Sequence, residues 1–282
     1  MLERPHVEFV QAQLIPWRRV GPHAARPDVE YKFLSRDPAD GACSAIIRYP
    51  PGWRREGLEH VLADEELYVL EGELTIDDRG YGPDTYAFLP AGWPRTLTAT
   101  RGGAVVLSYF SAEPCWRAGE AAHLDRERAV PFLDVATLPW DMRVNDRNLA
   151  YLGISRKDLR TDPRTGERTF LSMMLPQSEP PGASGPVERH PIVEEAFLIA
   201  GSLTGPQGTM HPGAYFWRPP RRAHGPFGTR WGAVALIRFL GGRHVNEWGE
   251  HAPFSFEAPY DPILPPELDS LRHAPWQPAP GF

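Results

Sequence analysis

The chain of 282 residues reads as all-β, with one sandwich or barrel fold used twice in tandem. Three observations predict this. Short strand-like runs are broken by turn residues roughly every 8–12 positions, the pattern of a sandwich or barrel. Proline and glycine are abundant, at 32 and 26, and are spread through the chain as turns. The chain also repeats itself. Phe9-x5-Ile15-Pro16-Trp17 recurs as Phe132-x5-Leu138-Pro139-Trp140, and Lys32-x-Leu34-x-x-Asp37-Pro38-x-x-Gly41 as Lys157-x-Leu159-x-x-Asp162-Pro163-x-x-Gly166. Beyond these the offset is a constant 129: Glu65 matches Glu194, Gly72 Gly201, Pro90 Pro219, Arg95 His224, and Gly103-Ala104-Val105 matches Gly232-Ala233-Val234. A colinear set of this length implies one fold used twice, with residues 1–125 as the first barrel and 126–282 as the second.

Within the first half, Ala45 to Tyr49 is a β-rich run stopped by Pro50-Pro51-Gly52, and Glu66 to Ile76 is strand, glycine, strand. Asp77-Asp78-Arg79-Gly80 has hairpin-turn chemistry. Gly82-Pro83-Asp84-Thr85 turns again before Tyr86 to Leu89, Pro90-Ala91-Gly92 turns once more, and Gly103 to Phe110 closes the unit. Ser111 to Pro131 reads as the connection. After residue 252 come eight prolines and several aromatics, among them Phe254, Phe256, Tyr260 and Trp276; an extended arm packed on a barrel keeps those rings out of water. A long helical period is missing, and Glu267 to His273 alone suggests a short helix.

The chemistry concentrates between Val187 and Phe227. Glu188 and His190 are two apart, so in a strand they share a face, as do Glu194, Ala196 and Leu198. Neighbouring strands aimed into a barrel bring Glu188, His190 and Glu194 together, and a returning strand adds His224. Two imidazoles with one or two carboxylates suit a divalent transition metal. Two His and one carboxylate with open positions suit non-haem Fe(II), the first choice here, and also Mn, Ni or Zn.

This spacing resembles the two motifs of the cupin superfamily: His-x-His, a Glu after three or four residues, a Gly seven beyond it, then Pro-x-Gly-x-x-His. His190, Glu194, Gly201, Pro219 and His224 stand at motif positions, while Glu188 replaces the first His and Arg221 the Gly of the turn. The whole pattern resembles a bicupin over nearly the whole chain apart from the Pro-rich arm, and the resemblance implies two tandem cupin-type barrels of the double-stranded β-helix, or jelly-roll, kind. By the same resemblance His60 and Glu65 stand at the second His and the Glu of the first half, with one residue more between them; Leu58 stands at the first His and Arg95 at the last. A cation aimed into the barrel repels a metal, so the first barrel is expected without one, its pocket residues His60, Glu65 and Arg95 being structural or holding an anion. The single metal then belongs to the second barrel, on His190, Glu194, His224 and Glu188.

Tyr215, Trp217 and Arg218 precede the Pro turn and are the expected substrate-binding residues, with Arg218 able to take a carboxylate bidentately or to form a salt bridge. A shift of one residue inverts which side chains of that strand face the pocket. His211 is read as a surface turn residue.

A net charge of -6 gives no basic patch for nucleic acid or an anionic membrane, and no apolar run is long enough to span a bilayer. Met1 is followed by no apolar stretch of the secretory type. Cys43 and Cys115 are far apart and read as reduced thiols. The expectation is a cytoplasmic protein acting on a small molecule, with a homodimer left open. Three function classes follow: a metal-dependent dioxygenase, which the resemblance implies as a common cupin activity; a non-redox metalloenzyme (isomerase, cyclase, lyase or hydrolase) with Glu188 as the catalytic proton shuttle; and a binding or sensing protein without turnover.

Overall fold

The computed structural model describes residues 4–19, 26–143, 146–274, 276, 278 and 281–282. Among them the chain is strand and short 3₁₀ turns, with no α-helix and no helix long and apolar enough to cross a membrane. It divides into two compact units. One is built on Ile15–Leu138, the other on Leu2–Leu14 together with Pro139–Pro278.

The first unit packs a seven-stranded sheet against a five-stranded one. The larger runs Val130–Asp134, Thr85–Leu89, Glu65–Gly72, Ala104–Phe110, Cys43–Tyr49, Glu30–Arg36, Arg18–Arg19. The smaller runs Trp116–Ala118, Arg54–Val61, Arg95–Ala99, Leu74–Ile76, Arg79–Tyr81. Alternate residues of these strands, such as Leu67, Val69, Val106 and Leu89, fill one buried core with Trp53, Val61 and Trp116.

The second unit has a six-stranded sheet in the order Val7–Gln11, Ala214–Arg218, Val193–Gly201, Ala233–Leu240, Arg168–Met174, Ser155–Thr161. Two two-stranded pairs accompany it: Ser184–Arg189 with Glu247–Pro253, which are distant in sequence, and the hairpin Leu203–Gly205 with Gly208–Met210. Isolated bridges Glu188↔His224, Thr204↔Gly228 and Ser178↔Thr229 supplement them. The unit's core gathers Phe9, Leu152, Ile154, Ala196, Leu198 and Phe216.

The chain changes unit after Leu138 rather than at 125/126. Val130–Asp134 pairs with Thr85–Leu89 and so belongs to the first unit, while its repeat counterpart Val7–Gln11 pairs with Ala214–Arg218 and belongs to the second. Each leading strand completes the sheet of the unit built by the other half, which sequence similarity alone does not reveal.

The repeated glycine of the motif has a steric cause in both units. Gly201 has φ +77°, and a Cβ there would lie 2.0 Å from the Gly232 carbonyl oxygen; Gly72 has φ +68°, and a Cβ would lie 2.1 Å from the Gly103 oxygen. Only glycine combines that conformation with so close a backbone approach. The C-terminal arm lies along the second unit. Its Ile263 exchanges backbone hydrogen bonds with Glu8 at 2.7 and 2.8 Å, Tyr260 Oη donates to the Phe9 carbonyl at 2.9 Å, and Pro266–Leu271 is a 3₁₀ turn.

Candidate metal centre

Strand parity decides what enters the second unit. Glu194 and Ala196, Phe216 and Arg218, Ile154 and Arg156, and Phe170 and Ser172 are pairs two residues apart, and all of them line one cavity of about 70 Å³. Its wall is mostly aliphatic and aromatic, with Leu152, Ile237 and Phe227 among its members and Glu188, His190 and Glu194 among its polar ones.

There Glu188, His190 and His224 each offer a ligand atom, and the three atoms lie within 4.8 Å of one another. Glu188 sits in the strand Ser184–Arg189 and His190 directly after it. His224 comes back alongside through mutual backbone hydrogen bonds with Glu188, at 2.9 and 3.0 Å. Glu188 Oε1 is 3.5 Å from His224 Nε2. Glu194 Oε2 is 3.3 Å from His224 Nε2 and 3.7 Å from His190 Nε2.

Both imidazoles are held from behind. His190 Nδ1 donates to the Val245 carbonyl and His224 Nδ1 to the Arg222 carbonyl, each at 3.0 Å. A carbonyl can only accept, so the protons sit on Nδ1 and the Nε2 lone pairs point to the centre, the arrangement usual for metal-binding His. His224 Nε2 is buried and has no hydrogen-bond partner. A buried polar atom left in that state is costly, and a cation is what it lacks. Metal–ligand bonds of about 2.1 Å set neighbouring ligands roughly 3 Å apart, close to the spacings observed. The residues therefore fit a divalent metal.

Glu194 is shared. Arg218 Nη1 donates to its Oε2 at 2.7 Å. The rest of the guanidinium grips Glu8, Nε to Oε2 at 2.6 Å and Nη2 to Oε1. Burial by itself raises the pKa of Glu194, but Arg218, with His224 and His190, outweighs it and holds the carboxyl down to about 2. Glu8 is likewise held down to about 2, its burial outweighed by Arg218. Glu8 and Glu194 on Arg218, with Glu188 beside His224, give these four side chains a formal surplus of two negative charges, which one divalent cation balances.

Several sequence expectations need correction. Arg218 is not a free anchor for a substrate carboxylate, because Glu8 and Glu194 occupy its fork. Tyr215 and Trp217 point to the opposite face of their strand. Tyr215 Oη donates to Glu195 at 2.6 Å, and Arg4 lies 4.2 Å over the Trp217 ring. The Tyr215–Glu195 bond has a counterpart in the first unit, Tyr86 to Glu66 at 2.7 Å, so it belongs to the fold rather than to a substrate. His211 stacks on Trp276 at 3.7 Å, away from the centre.

In the first unit the strand register corrects the motif alignment. Arg95 pairs with Glu59 as His224 pairs with Glu188, so Glu59, not Leu58, stands where Glu188 stands, and Val61, not His60, stands where His190 does. Val61 is in the core. His60 points to the other face of its strand, its Nδ1 bonded to the Gly119 carbonyl at 2.9 Å. Arg95 forms a buried ion pair with Glu65 and lies 4.9 Å over Trp116. Glu59 is bonded by Arg26 at 3.1 Å and by Arg55.

Three residues of the site escaped the sequence. Glu8 is the lone charge of V-E-F-V-Q, whose five residues are all buried. Arg156 lies in a charge-rich run that reads as a solvated strand. His244 stacks on Phe239 at 3.7 Å and sits 5.1 Å from the His190 ring. Burial, with His190 and Arg156 adding to it, pushes His244 down to about 3, so it is neutral, and its Nε2 is 2.6 Å from Asn246 Oδ1.

A family model described as a domain of unknown function, DUF4437, matches residues 59–246. The chain belongs to that family. No curated protein matches it. Among solved structures, a candidate dioxygenase from Nostoc punctiforme superposes with a TM-score of 0.70 at 18% identity, over 90% of this chain and 88% of that one. Oxalate decarboxylase from Bacillus subtilis superposes with a TM-score of 0.52 at 13% identity, over 85% of this chain and 78% of that one. At such identities the likeness establishes the fold, and this DUF4437 member has the cupin fold.

Proposed function

We propose that this DUF4437 chain is a bicupin metalloenzyme that acts on a small organic molecule, with one divalent transition metal in the second barrel and none in the first. The observation that carries the proposal is His224 Nε2, buried and unpartnered, facing Glu188, His190 and Glu194 while both imidazoles are locked by their Nδ1 protons. Glu188, His190 and His224 form the tight set, and Glu194 joins it from its bond with Arg218. Two His and a carboxylate with open positions favour Fe(II), and we place the protein with dioxygenases. The Nostoc neighbour supports this, and the Mn(II) centres of oxalate decarboxylase support a metal in this fold.

A bound Fe(II) supplies open positions for O2 and for a substrate oxygen. The protein's part is to hold the two imidazoles in one tautomer, to keep Glu194 ionised through Arg218, and to surround the reacting end with the apolar walls of Phe227, Ile237 and Leu152, which exclude water. A second reading, a non-redox metalloenzyme, draws on the extra carboxylate: whichever of Glu188 and Glu194 does not hold the metal is placed to move a proton.

Elemental mass spectrometry on the protein and on His224→Ala tests the proposal. About one Fe per chain, lost in the variant, followed by substrate-dependent O2 uptake, is the expected result. One Zn, Mn or Ni without O2 uptake moves the assignment to the non-redox class. No metal after reconstitution overturns both.

A further inference from the structure

One charged group in the cavity has no task in that function. Arg156 projects from the strand Ser155–Thr161 into the space lined by Glu188, His190 and Glu194, with Ile154 two residues before it and Phe170 and Ser172 on the neighbouring strand. The other arginine of the wall, Arg218, is consumed by Glu8 and Glu194. Arg156 has no ion pair with any carboxylate among the described residues. Asp158, on the same face, is engaged by Arg168. Asp141, whose backbone pairs with that of Arg156, is engaged by Arg143 at 2.9 Å. The Arg156 guanidinium lies 4.7 Å over the Phe170 ring, and its Nε is buried with no hydrogen-bond partner. Burial, followed by the like charge of Arg168, disfavours its charged form and outweighs the opposite pull of Asp158, Glu188 and Glu194. Arg156 is half-buried, and its sealed, unbonded Nε gains a partner when an anion enters the cavity.

Resting on the metal-centre reading, we propose that Arg156 is the anion anchor of this cavity and that the ligand is a small organic acid, its carboxylate on Arg156 and its other end toward Glu188, His190 and His224. The planar fork of arginine matches a carboxylate. Phosphate carries more charge than this one uncommitted cation meets. A cavity of about 70 Å³ holds the equivalent of a few waters, so the acid is short. Its middle lies against Ile154, Leu152 and Ile237, so that part is apolar. The balance of charge agrees: a divalent ion offsets the surplus of Glu8, Glu188 and Glu194 over Arg218, and Arg156 then remains as one positive charge for one carboxylate.

The test compares butyrate with its uncharged analogue butyramide, by ligand-observed NMR at millimolar concentration, on the full chain and on Arg156→Met and Arg156→Lys, with metal content and thermal unfolding measured on each sample. Butyrate should bind the unmodified protein about tenfold or more tightly than butyramide, the gain expected of a charge-assisted pair. Arg156→Met should abolish that preference with metal content unchanged, and Arg156→Lys should keep part of it. Equal binding of acid and amide, a preference that survives in a folded Arg156→Met, or tighter binding of inorganic phosphate than of butyrate overturns the anchor. An Arg156-dependent preference in protein that holds no metal overturns the metal reading and leaves the anchor standing.

Discussion

The guanidinium of Arg218 grips both oxygens of Glu8, Nε to Oε2 at 2.6 Å and Nη2 to Oε1, with each side chain no more than 5% exposed. The pair ties the strand Val7–Gln11 to the cavity wall and leaves Nη1 for Glu194. Removing one member of a buried pair strands the other without its counter-charge, at a cost of about 3–5 kcal/mol. Glu8→Ala should lower stability by that amount in denaturant unfolding. A loss below about 1 kcal/mol, the range of exposed pairs, would show that Glu194 alone satisfies the arginine.

The same pair sets a pH dependence. Burial works against the Glu8 carboxylate, yet Arg218 holds its pKa down to about 2 from an ordinary 4.5. A folded-state pKa below the unfolded one contributes stability that is complete above about pH 4.5 and is lost as the pH falls toward 2. The contribution is roughly 3 kcal/mol by the usual conversion. Unfolding free energies measured from pH 6 down to about pH 2 should fall, and Glu8→Gln, less stable at neutral pH, should fall less. Parallel curves for the two proteins would remove Glu8 from the acid transition.

The centre makes a ranked prediction about its ligands. Among the described residues Glu188 forms no ion pair or hydrogen bond with an arginine, whereas Glu194 divides its Oε2 between the centre and Arg218 Nη1. Glu188→Ala should therefore weaken metal binding more than Glu194→Ala, with the latter in the range of about 10–100-fold seen for groups that support a metal from behind. His60→Ala should leave metal affinity as it was, since His60 bonds Gly119 on the other face of its strand. Competitive chelator titration of the loaded proteins measures all three. The reverse order for the two glutamates would place Glu194 in the tight set.

How far the sequence carries is shown by these residues. His190, Glu194 and His224 stand out through their resemblance to the cupin motif spacing, and a strand's period of two puts Glu188 on the face of His190. The tertiary partners were not. Glu8 reaches Arg218 from 210 residues away, and no local pattern encodes that a strand ahead of the first barrel completes the second. Tyr215, Trp217 and Arg218 cannot all face one side, because parity allows only alternate members to do so; Phe216 and Arg218 line the cavity. The motif resemblance sets His60 in the place of His190, whereas the pairing of Arg95 with Glu59 puts Val61 there.

That register gives the last prediction. Arg95 and Glu65 occupy in the first barrel the places that His224 and Glu194 occupy in the second, and their ion pair is buried, at 1% and 3% side-chain exposure. Ser108 adds only a long hydrogen bond to Glu65, at 3.4 Å, so Arg95 is the main compensation for that carboxylate. Arg95→Met leaves Glu65 charged and buried without it, and stability should fall by about 3–5 kcal/mol. Arg95→Met with Glu65→Leu removes both charges and keeps the volume, a change that in buried pairs is often neutral or favourable. The double variant should therefore recover most of the loss in denaturant unfolding, with metal content unchanged from the parent. A double variant no more stable than Arg95→Met would mean that packing of the Arg95 stem over Trp116, rather than charge compensation, sustains this barrel.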